Sequence, residues 1–147
     1  MPPISTSIEV NRAADDVFAY ATDPTRFCEW QKGVVEGHMD HPGIPSVGTR
    51  CVTTRRIGFG ERPATAEVAY IDPPRTWGVR GVDGPIRASV DVTVEPLAEN
   101  RSRLIIAVDF EGRGIGKLLV PLVVRRQARN EMPVNLATLK ERLELRT

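Results

Sequence analysis

Few residues in this chain have the type and spacing to do chemistry. His38 and His41 stand three positions apart, the second in a Pro-rich stretch, with no Cys or Glu at the spacing of a zinc protease or zinc finger. No metal centre is predicted. Either histidine becomes a general base only if its ring faces a substrate, and a loop histidine is ordinarily solvated. No serine sits in a Gly-x-Ser-x-Gly elbow, and two histidines in one stretch support no Ser–His–Asp order. Asp91, Asp109 and Glu111 fall on the polar side of their strands. Gly112, Gly114 and Gly116 form "GRGIG" without Walker spacing and without a preceding parallel strand, so they read as tight-turn glycines. No cofactor is implied.

The arginines are more informative. On a helix of about 100° per residue, Leu118, Leu122, Met132, Leu136 and Leu143 share one stripe, and Arg125 and Arg129 share it with them. A guanidinium is not buried unpaired, because removing it from water costs several kcal/mol, on the order of a buried ion's penalty. Each must reach a ligand anion held by a bidentate fork, an internal carboxylate, or water past the edge of a sheet. The other basic run, Arg50 with Arg55 and Arg56, lacks interleaved aromatics, as does the first, so neither reads as a nucleic-acid surface. With 20 basic against 19 acidic residues, the net charge of +1 gives no bulk attraction to nucleic acid or to an anionic membrane.

The elements that position these groups are readable from periodicity. Ile4 to Val10 alternates as a short strand, and Ala13-Ala14-Asp15-Asp16 opens a helix through Ala21 with acids in its first turn. Asp23-Pro24 ends that helix and starts a second, which carries Phe27 and Trp30. From Val34 to Phe110 the period is two, with breaks at His41 to Pro45, Gly58-Phe59-Gly60, Asp72-Pro73-Pro74, Asp83-Gly84-Pro85 and Glu99-Asn100. Ile86, Ala88, Val90, Val92 and Val94 make one dry face, and Leu104, Ile106, Val108 and Phe110 make the next. Alternation puts Cys51, Thr53 and Arg55 together but leaves open whether they point inward. After Gly114 a helix runs almost to Thr147, with a bend or first-turn position at Pro121 and a kink or interruption expected at Pro133. The expected architecture is a single α+β domain, 1–147, in which a bent antiparallel sheet of about six or seven strands packs on that helix.

The segments "DDVFAYATDPTRFCEW", "VGTR", "YIDPPRTWGVRG", "VEP" and "LATLKERLE" occur in the order found in the SRPBCC superfamily, and the chain resembles its bacterial polyketide cyclase/dehydrase-type members over essentially its whole length. The resemblance implies a helix-grip fold: the sheet wraps the terminal helix and leaves a hydrophobic pocket between them. It also implies that Trp30 and Trp77 border that pocket. Candidate cavity residues are Tyr20, Trp30, Tyr70, Trp77, Val79, Val90, Phe110, Leu118, Leu122, Arg125, Arg129 and Met132. Catalytic residues are not identified.

The functional expectation is a carrier or sensor of a small hydrophobic or amphipathic molecule, whether lipid, polyketide or aromatic metabolite. A cyclase- or dehydratase-like enzyme and a regulatory module acting through a protein partner are the alternatives. Cys28 and Cys51 have no metal spacing and read as free thiols of a reducing compartment. No run of about eighteen apolar residues is present. A cytoplasmic monomer or weak homodimer, with no nucleic-acid partner and no membrane insertion, is therefore expected.

Overall fold

The alternating segments form one antiparallel sheet in a computed structural model that describes residues 2–57 and 60–145. The strands are β1 (Ile4–Val10), β2 (Val34–Met39), β3 (Arg50–Ile57), β4 (Gly60–Asp72), β5 (Thr76–Gly81), β6 (Ile86–Ala98) and β7 (Arg101–Gly112), in the spatial order β1-β7-β6-β5-β4-β3-β2. β2 to β7 are a meander, and β1 adds to its far edge by pairing with β7 from Ile4 opposite Val108 to Val10 opposite Ser102. Of the expected break at Gly58-Phe59-Gly60, the first two residues lie outside the described ones and Gly60 opens β4. Register shifts at Val34/Glu36, Val68/Tyr70 and Pro96/Ala98 add local twist. With β4 and β6 each 13 residues long, that twist accumulates into a curved sheet with one concave face.

Two short helices close one end. In α1 (Ala14–Ala21), Asp15 and Asp16 occupy the first turn, and Val17, Phe18, Tyr20 and Ala21 are buried. The Asp23 carboxylate accepts the Thr25 N–H at 3.0 Å and caps a 3₁₀ turn, Pro24–Arg26, which leads directly into α2 (Phe27–Trp30).

The C-terminal helix lies in the concave face in three parts: α3 (Gly116–Leu119), a π-helical turn (Val120–Val124) and α4 (Arg125–Leu145). Gly112 and Gly116 let it start tightly, since a Cβ on Gly112 would strike the Gly116 backbone and one on Gly116 the Pro85 carbonyl. α4 continues as helix through Pro133, which is exposed, so the irregularity falls at Pro121 instead. Pro121 has no N–H to donate, and the widened turn around it absorbs the missing bond.

That turn corrects the predicted helix face. A π turn inserts one residue, so the buried stripe runs Gly116, Val120, then five positions on to Arg125, and continues through Met132, Leu136, Leu139 and Leu143. A constant 100° per residue instead carried Leu118 and Leu122 inward. They are 66% and 69% exposed.

Polar contacts fix both ends of the helix. Arg125 is 5% exposed; its Nη1 donates to Asp109 at 3.0 Å and its Nη2 to the Pro2 carbonyl at 2.6 Å, where β7 runs past the start of β1. At the other end, Arg12 donates to the Leu143 carbonyl at 2.6 Å, and Lys140 donates to the Glu9 carbonyl at 2.9 Å and to Glu144 at 2.7 Å. The arginine at the helix C-terminus also suits the helix dipole.

The re-phased stripe makes a direct prediction for stability. Val120→Ala should cost about 2 kcal/mol in denaturant unfolding, through lost burial and a residual void. Leu118→Ala and Leu122→Ala should each stay within about 0.5 kcal/mol of wild type. The reverse ranking would restore a regular helix phase.

Candidate functional site: a cavity with a cationic end

Between the sheet and the terminal helix lies a cavity of about 230 Å³. Its floor is the dry face of the meander: Trp77 and Val79 from β5, Ile86, Ala88, Val90 and Val92 from β6, and Ile106, Val108 and Phe110 from β7. The roof is α4, through Ala128, Met132 and Leu136. Phe27 meets Trp30 edge-to-face at 6.0 Å and 82°, and meets Trp77 at 6.4 Å and 74°, so the three rings make one stiff aromatic wall. Trp30 is 5% exposed, and its indole Nε1 is buried with no hydrogen-bond partner among the described residues.

The other end is polar. Cys51, Thr53 and Arg55 alternate along β3 and all face the cavity. The small residues Ala66 and Ala64, opposite Cys51 and Thr53 on β4, leave room beside them. Arg55 is half-buried, and its partners are neutral: its Nε donates to the Thr53 hydroxyl at 3.2 Å and its Nη1 to the Gln31 amide oxygen at 3.4 Å. Burial disfavours its charge and pulls its pKa down, while Glu131 on the helix opposes that through space. Gln127 donates to Glu131 at 3.3 Å, and Asn135 accepts the Lys32 N–H at 3.0 Å. Among the described residues Arg55 has no ion pair to Glu131.

Of the residues singled out from sequence, Trp30, Trp77, Val79, Val90, Phe110 and Met132 line the cavity. Six lie elsewhere. Tyr20 is buried on the inner side of α1, where its hydroxyl donates to Glu29 at 2.9 Å. Tyr70 lies on the outer face against Gly78, with its hydroxyl on Asp91 and the Arg80 guanidinium 5.9 Å from its ring centre. Partial burial and the Asp91 carboxylate push that phenol up to about 12. The bulge between Val68 and Tyr70 shifts the β4 alternation and takes Tyr70 away from the interior. Leu118 and Leu122 are turned outward by the π turn, Arg125 ties the helix to the sheet edge, and Arg129 is exposed.

Alternation alone does not assign Arg55, a cation lining the cavity, to either face of β3. The signal that could have placed it is the pair of alanines facing Cys51 and Thr53, small side chains that leave room on that face. Of the other chemical candidates, His38 and His41 are exposed and His41 pairs with Asp40 at 2.8 Å. Glu111 pairs with Arg113 at 3.2 Å. Among the described residues no three His, Cys, Asp or Glu side chains are grouped to hold a metal ion.

A concave antiparallel sheet gripping a terminal helix over an apolar cavity has a clear counterpart. Residues 1–144 match the family described as polyketide cyclase / dehydrase and lipid transport. The chain belongs to that family, within the SRPBCC superfamily. Solved structures share the fold at low sequence identity. The Zhui aromatase/cyclase from Streptomyces sp. R1128 is 14% identical, with a TM-score of 0.79 over 97% of this chain and 93% of that one. A START superfamily protein from Mycobacterium smegmatis is 17% identical, with a TM-score of 0.77 over 98% of each. The di-domain ARO/CYC BexL from the BE-7585A biosynthetic pathway is 17% identical, with a TM-score of 0.75 over 99% of this chain, which spans 47% of BexL. No curated protein matches the chain in sequence.

The cavity wall can be tested through its thiol. Burial pushes Cys51 up to about 11, whereas Cys28 is exposed. At pH 8 a thiol reagent should modify Cys28 roughly a hundredfold faster than Cys51, read by peptide mass spectrometry over time. Equal rates would mean that the wall is open to solvent at β3.

Proposed function

We propose that this protein binds a small amphipathic molecule whose ring-containing apolar body lies on the Phe27, Trp30 and Trp77 wall and whose oxygen-bearing head meets Arg55. The observation that carries this reading is a half-buried guanidinium with only neutral hydrogen-bond partners at the polar end of a cavity whose floor and aromatic wall are apolar. A ligand carboxylate, phenolate or carbonyl oxygen would supply the charge-assisted bonds that Thr53 and Gln31 give only weakly. At about 230 Å³ the cavity is below the roughly 300–1,000 Å³ of sites for drug-sized molecules, which favours a body of one or two rings. Carriage or sensing needs nothing more than this. The reading takes residues 1–147 as one domain, a monomer or weak homodimer of a reducing, cytoplasmic compartment, in keeping with its two free thiols.

A second reading has its own observation. Glu131 faces the cavity near Arg55 without pairing to it, so a substrate could lie between a fixed cation and a carboxylate. Arg55 would polarise a ketone and stabilise the enolate oxygen, and Glu131 would take the α-proton, as a cyclase or dehydratase acting on a polyketide-type substrate requires. The aromatase/cyclase relatives favour this chemistry by analogy of fold alone.

Displacement of a cavity-bound, environment-sensitive apolar dye tests the binding reading. A bicyclic aromatic carboxylate should compete about tenfold or more better than its methyl ester, the increment of one charge-assisted bond. Arg55→Met should keep the dye and lose the preference. Equal competition by acid and ester in wild type would refute the role of Arg55. Turnover of a poly-β-ketone thioester that Glu131→Gln abolishes, with dye binding intact, would decide for the enzyme.

A further inference from the structure

The start of the C-terminal helix has a surface that the cavity does not use. Ile115, Leu118 and Leu122 are 67%, 66% and 69% exposed, and Val123 is 43% exposed. From Gly112 to Asn130 the chain contains Arg113, Lys117, Arg125, Arg126 and Arg129 and no Asp or Glu, so the remainder of this nearly neutral chain is net negative. Arg125 is spent on Asp109 and Arg113 pairs with Glu111. Lys117, Arg126 and Arg129 are exposed and have no ion pair among the described residues. Apolar side chains framed by unpaired cations are the composition of a surface that lies on an anionic bilayer.

The π turn produces this surface. By advancing the helix phase one residue between Val120 and Arg125, it buries Val120 and turns Leu118 and Leu122 outward. The patch also adjoins the cavity. A groove lined by Leu122, Val123, Arg126 and Val134 shares Gln127 and Glu131 with the cavity's polar end, and Glu131 is the one acid in it.

We propose that the Ile115–Arg126 segment docks the protein on an anionic lipid surface, with Leu118 and Leu122 entering the headgroup region and Lys117 and Arg126 meeting lipid phosphates. The proposal holds whatever occupies the cavity. Two features favour a bilayer over other occupants. Side chains two-thirds exposed project from the surface, as a wedge into lipid must, whereas a residue seated in a preformed protein groove is more enclosed. A two-fold contact with a second copy would set Lys117, Arg126 and Arg129 against themselves, with no acid between residues 112 and 130 to answer them.

Flotation of the full chain with vesicles provides the test. Vesicles of equal parts phosphatidylcholine and phosphatidylglycerol should carry the protein, pure phosphatidylcholine should not, and molar salt should release it. The double variant Lys117→Gln/Arg126→Gln should weaken partitioning by about 25-fold, roughly fivefold per charge. Leu118→Ser/Leu122→Ser should weaken it at least about tenfold. Both variants should melt within a few degrees of wild type, because the altered side chains are exposed. Equal flotation with neutral vesicles, or variants that float like wild type, would overturn the proposal. So would a failure to float accompanied by retention on an immobilised polyaspartate, which would indicate an acidic protein partner. A dimer in sedimentation velocity that Leu118→Ser/Leu122→Ser dissolves, again without flotation, would indicate a second copy.

Discussion

The structure depends on seating one long helix in the concave face of a bent sheet without filling it. The stripe Val120, Met132, Leu136, Leu139 and Leu143 supplies the apolar contact, and it stays in phase only because the Val120–Val124 turn is π-helical. Polar clamps then set the helix position. Arg125 holds one end to Asp109 and Pro2, and Arg12 and Lys140 hold the other to the rim of β1. Between those clamps the helix roofs the cavity through Ala128, Met132 and Leu136.

This arrangement separates two arginines that look alike in sequence. Arg125 is almost fully buried but has an acid and a carbonyl on its two terminal nitrogens, so its charge is paired within the protein even though its Nε has no partner among the described residues. Arg55 is less buried but has only a hydroxyl and an amide oxygen, so its charge is answered within the protein only from a distance. Burial alone does not separate the two. What distinguishes them is whether the donors already have a charged acceptor.

Much of the fold was legible because alternation is a local signal. Ile86 to Val94 and Leu104 to Phe110 each declared a face, and those faces became the cavity floor. The turn residues at Asp72-Pro73-Pro74, Asp83-Gly84-Pro85 and Glu99-Asn100 mark the junctions between β4 and β7. The site was less legible, for two physical reasons. A single inserted residue rotates everything upstream of Arg125, and nothing in the apolar pattern near Pro121 distinguishes a π turn from a bend. The side taken by Arg55 depends on which face of β3 meets the helix, a tertiary fact carried partly by the alanines of the neighbouring strand. Net charge is likewise a whole-chain average, and +1 overall says nothing of the segment from 112 to 130, which has no acid.

The central claim is that the space under the helix holds a small molecule whose head is taken by Arg55. Native mass spectrometry of the protein isolated from its own host, before and after denaturation, tests it most directly. The account predicts a stoichiometric small molecule with an apolar body and an oxygen-bearing head, retained by the folded protein and absent from Arg55→Met prepared in the same way. An adduct retained equally by Arg55→Met, or a wild-type protein that emerges empty and also binds no apolar dye, would contradict it.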